Sequence, residues 1–248
     1  MTALGTTTEN IGHLGLNGGS ANVNQQVGAD GKPFVGAKFY EYGTISSVNY
    51  VIENVPGFND YSFGLPPGFA EPLDGLRVTF TGLAGVVTAF DALTGAINYA
   101  FTPGIGSILI QGSNDEGLTF TDLATLSLQS PSGGDLNNFF GNNQTQGQST
   151  IFARFASFLS GFNIDLAGLG LGYDSPEDLY LQVVTTNKIG SPASAVGACS
   201  FDASLSCRNL LVTSDGSADL LKVPEPASLA LLGIGLLGLA GVRRRYTK

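Results

Sequence analysis

The chain has 248 residues, and its charged fraction of 12% is about half the usual globular share of roughly 25%; it has 35 glycines and no tryptophan. Four of its 11 basic residues and one of its 20 acidic residues lie beyond Lys222, so residues 1–222 carry a net charge of about −12. The basic residues of that body are scattered from Lys32 to Lys222, which excludes a phosphate-backbone binder; the acidity favours solubility, cation binding or cation-bridged contact with acidic polysaccharide.

In chain order, residues 1–30 are polar and rich in Gly and Asn, and read as a flexible N-terminal segment. They contain no apolar run of about 7 to 15 residues behind a positive segment, so no secretory signal peptide is read there. Residues 31–222 read as one β-rich domain, long enough to bury a core. Val35–Tyr42 and Thr44–Ile52 are β-branched and aromatic runs separated by Gly43. Leu76–Thr81, Val86–Phe90 and Ala96–Phe101 follow at the short spacing of antiparallel strands, and Ile105–Gln111 and Leu118–Leu128 continue the series. Ser132–Gln148, rich in Asn, Gln and Gly, reads as a long surface loop. In Thr150–Leu159 the phenylalanines at 152, 155 and 158 have helical spacing, but the flanking Gly147 and Gly161 and the lack of Glu or Lys favour a strand. Leu179–Thr186 is a further strand, and Leu210–Thr213 and Ala218–Val223 flank Ser214-Asp215-Gly216, which reads as a hairpin turn. No helical pattern alternates with these runs, so the expectation is an all-β antiparallel sandwich or barrel-like domain.

Little in the body points to chemistry. Ser/His/Asp or Cys/His catalysis needs a positioned base, and the single histidine, His13, lies in the N-terminal segment. Carboxylate spacing selects no pair for glycoside hydrolysis, so no enzyme is expected. The run Gly168-Leu-Gly170-Leu-Gly172 lacks the strand-turn-helix context of a dinucleotide site and reads as turn or close strand packing. Two acidic clusters, Asp115, Glu116 and Asp122, and Asp174, Glu177 and Asp178, offer some of the six to eight oxygens calcium takes, but neither has EF-hand spacing and solvated turns are favoured; no other cofactor is expected. Cys199 and Cys207, eight positions apart, are expected to form a disulfide contributing about 2 to 3 kcal/mol by loop entropy. Zinc would need two more ligands.

The chain ends in three ordered parts. Pro224, Glu225 and Pro226 favour extended backbone and form a short stalk. Ala227–Val242 is an apolar run that spans roughly 24 Å as a helix, short of a hydrocarbon core of about 30 Å. Arg243, Arg244, Arg245 and Lys248 would stay cytoplasmic as a basic anchor, leaving everything before Pro224 outside. A single C-terminal hydrophobic helix in the inner membrane follows from this order.

Val223–Pro226, the run Ala227–Gly233 and the arginine cluster resemble the PEP-CTERM sorting signal of exported proteins from Gram-negative bacteria that make exopolysaccharide. That resemblance implies that residues 223–248 are recognised at Pro224, Glu225 and Pro226 by an exosortase and cut. It implies a transient membrane anchor, then a cell-surface or matrix location. A sorting signal has no use without translocation, so the missing signal peptide points to a start placed too far downstream or a trimmed chain. The body has a weaker likeness to flocculation-associated PEP-CTERM proteins. It is carried by an aromatic strand pair near Phe39 and Tyr50, the Phe101–Ser107 segment, the Phe152–Phe158 stretch and Leu211–Leu220. The function it implies is structural or adhesive, in flocculation or biofilm, with exopolysaccharide as partner. A secreted carbohydrate-binding module or glycan hydrolase is the alternative.

Overall fold

The computed structural model describes residues 13–46, 48–51, 61–64, 75–113, 115, 118–139, 146–159, 162–166, 171–173, 179–189 and 195–222. Within them every regular element is a strand: β1 (His13–Gln26), β2 (Lys38–Ser46), β3 (Val48–Val51), β4 (Tyr61–Gly64), β5 (Gly75–Phe90), β6 (Ile97–Phe101), β7 (Ser107–Ser113), β8 (Thr121–Leu136), β9 (Gln146–Phe158), β10 (Asn163–Leu166), β11 (Leu171–Tyr173), β12 (Leu179–Ile189), β13 (Gly197–Ala198) and β14 (Ser206–Lys222). The antiparallel all-β expectation holds, and of its two forms the chain adopts the barrel. Eight strands close in the order β1-β2-β5-β6-β8-β9-β12-β14 and return to β1, each pair antiparallel. Closure leaves the ring with no unpaired edge to template aggregation. Two strands share the gap between β5 and β8, β7 in the half near Gly75 and β6 in the half near Phe90. β4, β10 and β11 form a separate three-stranded sheet.

The strands are strongly tilted. The paired residues lead from Gln25 through Phe39 and Gly85 to Phe101. From its neighbour Ala100 they lead through Gly133, Thr150, Val184 and Ser217 back to β1 at Gly15, about ten residues from the start. Such a stagger gives eight strands an interior that side chains can nearly fill. Alternation supplies the filling: along β12, Leu179, Leu181, Val183, Thr185, Asn187 and Ile189 are all buried while Val184, Thr186 and Lys188 face outward. Phe155, Leu83, Leu123, Leu128 and Leu179 lie under 2% exposed in the resulting core, each contributing roughly 1.5 to 3 kcal/mol of apolar burial.

Several expectations are corrected. Residues 1–30 are not a flexible segment throughout, because His13–Gln26 is a strand held between β14 and β2, with Ala21, Asn24 and Gln25 each 5% exposed or less. Its Gly and Ser residues suit a close fit between neighbours rather than a loop. β8 runs on to Leu136, so the expected loop from Ser132 shrinks to the span after it. A register shift between Gln129 and Gly133 lets that strand bulge past β9 and continue. Gly43 does not divide two strands, and Leu76–Thr81 and Val86–Phe90 are one strand with a bulge opposite Glu41 and Gly43, where Gly82 takes φ +66°. Ser214-Asp215-Gly216 is not a turn: it lies within β14, paired with Asn187, Thr186 and Thr185 of β12. Thr150–Phe158 is strand, as expected.

The ring has two distinct ends. Gln26, Phe90, Leu136 and Ile189 finish their strands at one end, called here the mouth. Ser113, Phe158 and Lys222 finish theirs at the other, where the chain continues into residues 223–248. Those residues, with the expected stalk, spanning helix and basic anchor, lie outside the described ones.

Candidate functional site

At the mouth, the inner faces of six ring strands leave a cavity of about 40 Å³. Its walls are mostly apolar, from Val23, Phe39, Ile97, Leu136, Leu210 and Val212, and Phe139, 1% exposed, closes it from the segment after β8. The Phe139 N–H donates to the Gly95 carbonyl (2.8 Å), which fastens this cover to the β5–β6 turn. Four polar side chains also line the space: Gln25, Glu41, Tyr99 and Asn187. An apolar pocket with a few convergent polar groups is the usual form of a small-molecule site, and barrel mouths are among its usual places.

Strand alternation brings these groups together. Glu41 is two positions from Phe39 on β2 and shares its inward face; Val23 stands opposite it on β1 and Leu83 on β5. The bulge on β5 beside this pair bends the strand where the carboxyl enters. Glu41 is half-buried and lines the cavity, and this burial pushes its pKa up to about 7. Among the described residues its carboxyl accepts no hydrogen bond. Tyr99 and Ser149 share a hydrogen bond between hydroxyls (2.6 Å), and Asn187 Nδ2 donates to Ser149 Oγ. Asn187 Oδ1 accepts from Thr185 Oγ1 (2.9 Å) and Ser214 Oγ (2.8 Å), which fixes the amide's orientation. Burial, with the nearby Glu41 charge second, raises the Tyr99 pKa, so the phenol stays protonated. Gln25 Nε2 donates to the carbonyls of Gln26 (3.0 Å) and Lys38 (3.3 Å), leaving Oε1 as its acceptor end. Arg208 stands opposite Gln25 in the β1–β14 register; its guanidinium fills the space a Cβ at Gly31 would need, and its Nε is buried without a hydrogen-bond partner.

The residues singled out from sequence lie elsewhere. Cys199 and Cys207 form the expected disulfide, with Cα atoms 4.8 Å apart, on the outer face of the barrel. Its loop is pinned there: Asn24 Oδ1 accepts from Ser200 N (2.8 Å) and Oγ (3.0 Å), and Phe201 stacks on Tyr40 with ring centroids 4.5 Å apart. Asp115 accepts from the Thr119 hydroxyl (2.5 Å), the Thr119 N–H (2.8 Å) and the Ser113 hydroxyl (2.8 Å), and these bonds lower its pKa to about 2. Asp122 accepts from Gln111 Nε2 (2.5 Å), whose Oε1 accepts from Arg77 Nε (2.7 Å). Both carboxylates thus brace the β7–β8 connection, and among the described residues no three His, Cys, Asp or Glu side chains gather for a metal. Glu116, Asp174, Glu177, Asp178, Pro224, Glu225, Pro226, Ala227–Val242 and Arg243–Arg245 lie outside the described residues, and so does most of the Gly168–Gly172 run apart from Leu171 and Gly172 in β11. Sequence reasoning passed over Glu41, Tyr99 and Asn187. The available signal was alternation, which puts Glu41 on the face of Phe39 once that face is known to point inward.

Neither the curated proteins nor the solved structures offer a match to this chain. Residues 222–245 match the family described as the PEP-CTERM protein-sorting motif. That stretch begins at the last residue of β14, so all of the ring but Lys222 precedes the matched stretch. The chain therefore carries a PEP-CTERM sorting motif, the mark of an exported protein that is anchored transiently in the membrane and handed to an exosortase.

Proposed function

We propose that the exported barrel is a structural or adhesive component of the cell surface or exopolysaccharide matrix, acting in cell aggregation such as flocculation or biofilm. The observation that carries this reading is the set of exposed apolar side chains at the end away from the tail. The sorting tail leaves from Lys222, and the opposite end carries exposed apolar side chains on separate loops: Phe34 and Val35 between β1 and β2, Leu93 between β5 and β6, and Val196 before β13. A barrel tethered by its tail thus turns an apolar-tipped face outward. Contact with polysaccharide would run through these loops and outward rings such as Tyr42, with divalent cations bridging the acidic body to acidic glycans. The glycan-hydrolase alternative has less behind it, because among the described residues Glu41 is the single carboxyl lining the mouth cavity and glycoside hydrolysis uses two.

Two measurements test the reading together. Mass spectrometry of the mature protein with cell fractionation is expected to find a chain ending near Pro224–Pro226 in the surface or matrix fraction; Arg243–Lys248 present in every fraction would refute processing. Deleting the gene in a strain without paralogues is expected to weaken aggregation and matrix retention. Unchanged aggregation would overturn the adhesive role while leaving the sorting result intact.

A further inference from the structure

The polar groups at the barrel mouth are unequal in kind. Asn187 has both ends of its amide committed, and the Tyr99 and Ser149 hydroxyls share one hydrogen bond. Facing the space are acceptors without donors: the Glu41 carboxyl, unpartnered among the described residues, and Gln25 Oε1. A half-buried carboxyl with no donor is costly to ionise, and a ligand supplying both a positive charge and N–H groups offsets that cost. Phe39 and Tyr99, packed edge to face at 5.5 Å, add aromatic surface that favours a cation. We propose that the mouth cavity is a binding site for a primary ammonium group on a short alkyl body, with Glu41 as counter-ion and Gln25 Oε1 as a further acceptor.

The volume supports a small head group. About 40 Å³ is roughly a quarter of the 150 Å³ that an apolar cavity needs for benzene, so a compact ammonium fits and a bulky quaternary one does not. The other elements around Glu41 bring no competing counter-charge into the cavity. β1 offers Val23 and Gln25, β5 Leu83, β12 Asn187 and β14 Leu210. Tyr99 on β6 stays protonated through the neutral range, Asp135 on β8 is felt at the Tyr99 phenol, and Arg208 packs at Gly31 outside the lining. Ionisation of Glu41 near pH 7 then gates the site, while an alkylammonium keeps its proton up to about pH 10.

Isothermal titration of the full chain with ethylammonium chloride at pH 8 and pH 6 tests this, with tetramethylammonium and acetamide as controls. Saturable ethylammonium binding is expected at pH 8, about tenfold weaker at pH 6 in step with Glu41 ionisation. In Glu41→Gln, which removes a buried charge and keeps the shape, affinity should drop at least about tenfold. Tyr99→Phe, which folds around the same ring, should keep binding with a smaller loss. No saturable heat for ethylammonium at pH 8, equal binding by Glu41→Gln, or equal binding of tetramethylammonium would each overturn the assignment.

Discussion

Glu41 shapes the molecule's response to pH whatever occupies the mouth. Its folded pKa of about 7 lies above its ordinary value of 4.5, so between those values the folded state holds a proton that the unfolded state has released. Stability from this group is therefore complete below pH 4.5, declines as pH rises, and above pH 7 stands about 3 kcal/mol lower. The carboxyls on the loops act in the opposite sense. Asp115, held near pKa 2 by Thr119 and Ser113, favours the folded state above its unfolded pKa and loses that contribution as pH falls toward 2. Glu41→Gln should accordingly raise stability by up to about 3 kcal/mol at pH 8 and leave it nearly unchanged at pH 4.5. Urea unfolding at the two pH values measures the difference; an equal effect at both would show that the carboxyl is not buried as described.

At the scale of the strand, glycine decides what can be read from the chain. Gly43, Gly85, Gly147 and Gly216 all lie inside strands, and in each case a Cβ would run into a neighbouring strand's backbone or ring: the Ser20 carbonyl, the Phe39 ring, the Asp135 carbonyl and the Val184 carbonyl. A glycine that lets two backbones approach and a glycine that turns the chain look the same in one sequence. For that reason Ser214-Asp215-Gly216 reads as a hairpin although β14 runs through it. The strands marked by β-branched and aromatic residues, such as Leu179–Thr186 and Thr150–Phe158, were legible because their side chains alternate between core and solvent. The mouth cavity was not, since a lone Glu among Phe39, Tyr40 and Tyr42 looks solvated until ring closure fixes which face is inside. Gly216→Ala tests the close approach at that glycine: against the Val184 carbonyl it should cost at least about 1 to 3 kcal/mol, read from the shift in urea midpoint, and an unchanged midpoint would refute it.

Across the whole molecule, the apolar tips at the mouth are held out rather than loosely exposed. Leu93 is 97% exposed on a turn that Asp91 fixes, accepting from the Leu93 N–H (2.9 Å) and the Thr94 hydroxyl (2.8 Å). Those bonds lower the Asp91 pKa, the backbone one most. Val35, 64% exposed, sits in a turn closed by Ala37 N–H to the Phe34 carbonyl (2.9 Å) and tied to β5 by Gly36 N–H to the Val87 carbonyl (2.8 Å). Rigid presentation lowers the entropy lost on contact, which is what an adhesive face requires. Leu118, 84% exposed between β7 and β8, is the internal control because it lies at the end from which the tail departs. Val35→Ser with Leu93→Ser should reduce aggregation of a complemented deletion strain at least about twofold, and Leu118→Ser should leave it unchanged. All three positions are surface sites, so each change should move stability by no more than about 0.5 kcal/mol, and matched urea midpoints would exclude misfolding as the cause. Equal aggregation in the two variants would mean that the barrel does not make contact through its mouth, and an adhesive surface would then have to be sought on its outer wall.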